Sequence, residues 1–334
     1  MSGVARTPLP DKPQLLWKYE AKSVIESSAA IVGDRVYIGT KKGEVLCLRL
    51  EDGTLIWSFK AGGAVSASPC VSGRTVYVGD EGGEFYALSA AKGKLIWRFK
   101  TEDKIISSAT VTGGTVLFGS YDSNLYCLDA KTGKKRWTLE ADSYVHASPC
   151  VAGKYTIVAG CDGNVRMIEL ATGKQASAVE TDGNFAAGAA YDDGRVFLGD
   201  MGGQYFAIRS RDGKVLWKVE KEDDRGSYAG AAVLGEAVVF ASRSGKVFRV
   251  DRKTGKSVWS VTTKGKVESS PVIAGKVVFV GSGDGHLYGL RLADGKPMWK
   301  FAAGAEIMAS PAIGRGRLII GTEDGAIYCF GKKK

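Results

Sequence analysis

The chain has 334 residues, a formal net charge of +10, 25% charged residues and 45 glycines. No run of 18 or more apolar residues occurs, which excludes a membrane-spanning helix. The two histidines and six cysteines lack ligand spacing, so a zinc site, a Cys-His nucleophile and a Ser-His-Asp triad have no support.

The first predicted element is a strand at 14–20, carrying Trp17 in Leu15-Leu16-Trp17-Lys18-Tyr19. No partner strand precedes it. Residues 24–60 then form a complete unit: an inner strand near Ser28 (A), a strand ending near Gly39 (B), one near Leu46 (C) and one carrying Trp57 (D). Alternating apolar runs such as Val45-Leu46-Cys47-Leu48 read as strands, and Gly43 between B and C supplies a hairpin turn. The unit repeats at 64–100, 104–140, 144–180, 184–220, 226–262 and 266–302. The last unit, 306–331, has A, B and C but no D strand.

Trp17, Trp57, Trp97 and Trp137 are forty residues apart, the beat passes through Ser177, and it resumes at Trp217, Trp259 and Trp299. A glycine stands at a fixed short distance before each beat from Gly53 onwards. A period of about 40 residues is the length of one four-stranded propeller blade, and no stretch holds a helical period. The expected fold is all-β: an eight-bladed β-propeller of four-stranded antiparallel blades, one domain, closed by the N-terminal strand completing the last blade. Such closure removes the exposed sheet edge an open array would present, and a monomer is expected. Each tryptophan is expected to wedge against a neighbouring blade, so Ser177 marks blade 4 as the weakest interface.

The stretch Leu125-Tyr126-Cys127-Leu128-Asp129-Ala130-Lys131-Thr132-Gly133 before Trp137 resembles the tryptophan-docking motif of the PQQ-like (pyrroloquinoline-quinone-like) propeller repeat family. Arg249-Val250-Asp251-Arg252-Lys253-Thr254-Gly255 before Trp259 does too, and the resemblance runs from about Leu15 to Gly331. It implies the fold but no single activity. The family holds quinoprotein dehydrogenases, which bind the quinone with calcium over the channel, and non-catalytic scaffolds of the BamB type in outer-membrane barrel assembly. The dehydrogenases look longer, with inter-strand insertions that build a cofactor chamber, and many carry adjacent cysteines. Here the repeats are nearly bare and no two cysteines are adjacent. The expectation is a non-catalytic protein- or peptide-binding scaffold without cofactor. The alternatives are a dehydrogenase using PQQ with calcium, and a sensor module of a larger signalling protein.

Cys47, Cys127 and Cys329 share one place on strand C, and Cys70 and Cys150 share one on strand A. With Cys161 they read as unbridged thiols, most of them small buried residues. Free thiols suit a reducing compartment, and Met1–Arg6 has no apolar signal core. A cytoplasmic location is expected for a complete chain, and periplasm or cell envelope if a signal was removed. No cysteine precedes Cys47 to carry the lipid of the BamB-type scaffolds.

Lys94, Lys134, Lys174, Lys214, Lys256 and Lys296 follow the C–D turn glycines, with Arg35, Arg74, Lys154, Arg195, Lys276 and Arg315 in the A–B turns. This reads as a solvated basic face with weak attraction for anionic surfaces. No stacking aromatics interleave with it, so no nucleic-acid partner is expected.

The candidate site lies where the repeats disagree. Two residues before Ser28 and its equivalents stand Glu26, Ser66, Ile106, His146, Ala186, Tyr228, Glu268 and Met308; two earlier stand Val24, Ala64, Lys104, Tyr144, Asn184, Gly226, Lys266 and Glu306. The residues between, such as Ile25, Val65 and Phe185, are apolar and expected to face the blades. The mouth is therefore expected to collect Glu26, Lys104, Tyr144, His146, Asn184, Tyr228, Lys266, Glu268 and Glu306 as a small-molecule or peptide pocket. One connection is longer than the rest, at Lys221–Gly226. With Glu220 it reads as an acidic edge on the mouth side, without the spacing of a calcium loop.

Overall fold

The computed structural model describes residues 2–220 and 224–333. Its strands form eight four-stranded antiparallel sheets, the architecture of an eight-bladed β-propeller. In blade 1 the strands are Ala30–Val32, Arg35–Gly39, Glu44–Arg49 and Leu55–Lys60, hydrogen-bonded in that order. The B–C turn requires a left-handed residue, and Gly43 adopts φ +79 there. In strand D an irregularity in register falls just before Trp57, which pairs with Cys47 while Leu55 pairs with Leu48. The same irregularity recurs before Trp137, Trp217, Trp259 and Trp299. Among the described residues no helix is long and apolar enough to cross a membrane.

The eighth sheet joins the two ends of the chain. Gln14–Glu20 pairs antiparallel with Ala326–Gly331, Trp17 opposite Cys329 and Lys18 opposite Tyr328. The expected closure by the first strand is found.

The chain divides into two compact units, Ser27–Gly188 and Met1–Glu26 with Ala189–Lys334. The first holds blades 1 to 4, the second blades 5 to 8. Within Ser27–Gly188, the indole N–H groups of Trp57, Trp97 and Trp137 donate to the carbonyls of Ala90, Ala130 and Leu170 in the next blade, at 3.1, 3.2 and 3.0 Å. A Cβ on Gly93 would stand 2.6 Å from the Trp57 ring, so only glycine lets the indole lie flat on that turn. In the second unit Trp217 and Trp259 donate to Arg252 and Leu292, each at 2.9 Å. Trp299 instead packs edge-on against Phe330, ring centroids 5.3 Å apart. Burying one indole removes roughly 150–250 Å² from water, a gross gain of about 4–6 kcal/mol at about 25 cal/mol per Å². The cysteines are free, and burial pushes the thiols of Cys47 and Cys127 up to about 11 and that of Cys329 up to about 12.

One expectation needs correcting. Strand A is short and starts at Ala30 and its equivalents, not around Ser28. Pro69, Pro149, Pro271 and Pro311 precede the paired residues in four blades and have no N–H to donate, so the Ser28 series lies in an extended lead-in. Its serines are held by hydrogen bonds between blades. The Ser28, Ser68 and Ser108 amides donate to the hydroxyls of Ser68, Ser108 and Ser148 at 2.9, 3.0 and 3.0 Å. Gly230 and Ser270 donate likewise to Ser270 and Ser310 in the second unit.

Candidate functional site

The lead-in segments keep the alternation expected of them. Ile25, Val65, Ile105, Val145, Phe185, Val267 and Ile307 are all buried. Their neighbours in the two variable series are mostly half-buried, and Tyr144 and Asn184 are exposed. A third variable series joins them, one that the sequence reading missed: the residue opening each B–C turn, Lys41, Glu81, Tyr121, Cys161, Met201, Arg243, Gly283 and Glu323. Its backbone is tied to the second series, because Tyr121, Cys161 and Arg243 donate their N–H to the carbonyls of Lys104, Tyr144 and Gly226 at 3.0, 3.2 and 2.9 Å. The available signal was a position that changes in every repeat two residues before a fixed turn glycine or its substitute.

In Ser27–Gly188 these series build an aromatic cluster. The Tyr121 and Tyr144 rings stack with centroids 4.8 Å apart and planes 19° from parallel. Lys104 Nζ lies 4.3 Å from the Tyr121 centroid, a cation–π distance. The Tyr121 hydroxyl is 2.5 Å from His146 Nδ1. Burial, then the charge of Lys104, pushes His146 below the usual imidazole range, so the ring is neutral near pH 7 and Nδ1 can accept a hydrogen bond from the Tyr121 hydroxyl. Tyr144 is 49% exposed, which leaves one face of the stacked pair to solvent. In the neighbouring blades, Glu81 accepts from Lys41 Nζ at 2.7 Å and from the Ser66 hydroxyl at 2.5 Å. Burial raises its pKa, but these two bonds, with the charges of Lys41 and Lys104, outweigh that and hold it below the ordinary value.

In Met1–Glu26 with Ala189–Lys334 the same positions build an ionic cluster. Arg243 Nε pairs with Glu268 at 2.7 Å, and its guanidinium lies 4.6 Å from the Tyr228 ring centre. Lys266 Nζ is 3.5 Å from Glu306. Glu323 is pushed above the usual carboxyl range by burial and then by Glu306, with Glu26 and Glu268 adding to it and Lys266 opposing. Of the expected mouth residues, the structure thus joins Lys104, Tyr144 and His146 in one unit, and Glu26, Tyr228, Lys266, Glu268 and Glu306 in the other. Asn184 stands exposed and joins neither cluster.

The longer connection lies partly outside the described residues, at Lys221, Glu222 and Asp223. Asp224 takes hydrogen bonds from the Tyr205 hydroxyl at 3.1 Å, from the Gly226 amide at 3.2 Å and from the Ser244 hydroxyl at 3.3 Å. It therefore anchors the loop's end to blades 5 and 6 and offers no free carboxylate.

A family model described as outer membrane protein assembly factor BamB matches residues 10–109, 87–176, 161–223 and 210–333. The chain belongs to this family of PQQ-like repeat propellers. Among solved structures it is similar to BamB from Moraxella catarrhalis, at 18% identity and a TM-score of 0.84, covering 96% of this chain and 98% of that one. It is equally similar in fold to the computationally designed Ika8 protein, at 16% identity and a TM-score of 0.85, covering 96% and 100%. Quinohemoprotein alcohol dehydrogenase from Comamonas testosteroni gives 14% identity and a TM-score of 0.86, covering all of this chain and 79% of that one. No curated protein sequence matches. Identities this low carry the fold alone, so what distinguishes this member of the PQQ-like family is its own three variable series.

Proposed function

We propose that this protein is a non-catalytic scaffold that binds a protein or peptide partner, with the Tyr121–Tyr144 cluster as a contact site. By the family's description, the partner belongs to outer membrane protein assembly. The observation that carries this reading is the stacked pair itself. Tyr121 is fixed on three sides, by Tyr144, by Lys104 and by His146. Held that way, it presents Tyr144 as a rigid apolar step at little entropic cost, the property that makes tyrosine useful in binding surfaces. Lys104 beside it suits a ligand carrying both an aromatic or apolar side chain and a carboxylate.

A quinone held with calcium fits the carboxylates of either unit less well. Calcium takes about six to eight oxygen ligands, whereas Glu81, Glu268 and Glu306 are each engaged by a cation. Replacing Tyr144 by alanine is expected to abolish capture of the partner from native extract while leaving the melting temperature within about 2 °C. Undiminished capture removes the cluster from the contact site. Dye reduction with alcohols or sugars after adding PQQ and calcium would replace the scaffold reading by a catalytic one.

A further inference from the structure

Every inner strand of a propeller blade has one edge without a partner in its own sheet. In blade 7 that edge is filled by the chain itself. Val4 bridges Ile273 in parallel register. The Ile273 amide donates to Gly3 O, and the Ala5 amide donates to Ile273 O, both at 2.8 Å. The Val233 amide of blade 6 donates to Ser2 O at 2.7 Å. The segment Ser2–Ala5 thus crosses two blades of the unit Met1–Glu26 with Ala189–Lys334, bent at Gly3 and bridged at Val4.

The repeats explain why it sits there. In blade 2 the inner strand opens on Cys70, bulkier than alanine. Blades 5 and 6 carry Ala190 and Ala232 at the place of Cys70. Alanine offers no acceptor, so the amides of Val233 and Ile273 need one from elsewhere, and its small side chain leaves room for a backbone to approach. The room is limited. A Cβ on Gly3, which has φ +65, would lie 2.8 Å from Ala232 Cα and 3.0 Å from Ala231 O. Val4 then packs beside Ile273 in the interior cluster of blades 6 and 7.

We propose that this inner edge is a peptide-accepting slot, specific for a segment that bends at a glycine in its second position and carries a β-branched residue at its third, and that Ser2–Ala5 is its exchangeable occupant. Recognition is strand addition: backbone bonds supply affinity, and the Ala231–Ala232 floor supplies the selection for glycine. Exchange is open to it because few bonds hold it and the chain that follows is built for reach. Pro8, Pro10 and Pro13 have no N–H to pair before the blade 8 strand begins at Gln14.

The test uses the full chain carrying Gly3→Val and a synthetic peptide of residues 2–12 labelled on the Lys12 side chain. In the variant the Val233 and Ile273 amides are expected to exchange with solvent faster by about tenfold or more, and the peptide to bind it about tenfold more tightly than it binds the unaltered chain. The same peptide with Gly3→Val is expected not to bind. A second variant, Ala232→Val, closes the slot from its floor; it should free the same amides yet fail to take up the peptide. Unchanged protection of Ile273 in Gly3→Val, freed amides with no peptide binding, or equal binding by unaltered and Gly3→Val chains would each overturn the proposal.

Discussion

The tryptophan wedges and the mouth positions sit on the same repeats and behave in opposite ways. At the wedge, Trp57, Trp97 and Trp137 each donate to a carbonyl of the next C–D turn, and each lies on that turn's glycine. At the mouth, equivalent positions hold Lys41, Glu81, Tyr121 and Cys161 in consecutive blades. Where a side chain fills a gap between two sheets, volume and hydrogen bonding leave one solution, and repetition preserves it. Where it meets solvent, the scaffold is indifferent, and the residue is free to serve a ligand. The variable positions differ between the units, building an aromatic cluster around Tyr121 in Ser27–Gly188 and an ionic cluster around Arg243 in the other.

Three measurements can break or sharpen this contrast. The largest effect belongs to the wedge: Trp57→Ala removes a buried indole and its bond to Ala90, and is expected to cost about 3–5 kcal/mol in urea unfolding. A loss no greater than that of a mouth substitution would erase the distinction. Next, Gly93→Ala puts a methyl 2.6 Å from the Trp57 ring at a residue with φ +66, for an expected loss of about 1–3 kcal/mol by the same measurement. Insensitivity there would mean that the turn, and not the indole contact, governs the blade spacing.

The smallest is a pH effect at the mouth. Burial depresses the folded-state pKa of His146 below its unfolded value of 6.5. The unfolded chain therefore takes up the proton first on acidification. Stability should fall as pH drops through 6.5 and level off once pH is below the folded-state pKa. His146→Gln should flatten that part of the melting-temperature profile; an unchanged slope would show that His146 is not the group responsible. Together with the near-neutral effect expected of Tyr144→Ala on stability, this would confirm a mouth that is held in place without holding the fold together.

The alternation of the lead-in segments was legible in the sequence because extended chain has a period of two. Ile25, Val65 and their equivalents had to turn inward, which sent Lys104, Tyr144, His146 and Glu268 the other way. The partners were not legible. Tyr121 meets His146 across 25 positions and Arg243 meets Glu268 across a similar interval, because a B–C turn of one blade lies beside the lead-in of the next. Such contacts depend on how sheets stack, which no local pattern records. The bonds of the serines near the inner strands were not legible for the same reason, since Ser68 accepts from an amide forty positions away.

By itself the sequence determined the number of blades, their strand order, the wedge residues and the joining of Trp17's strand to that of Tyr328. These follow from periodicity, because a repeated unit that cannot bury its own faces must bury them against copies of itself. Only the tertiary structure decided which variable side chains meet, that Glu81, Glu268 and Glu306 are bound to cations, and that Ser2–Ala5 lies along the inner edge of blades 6 and 7. Those outcomes rest on distances between residues remote in the chain, where a few tenths of an ångström separate a hydrogen bond from a clash.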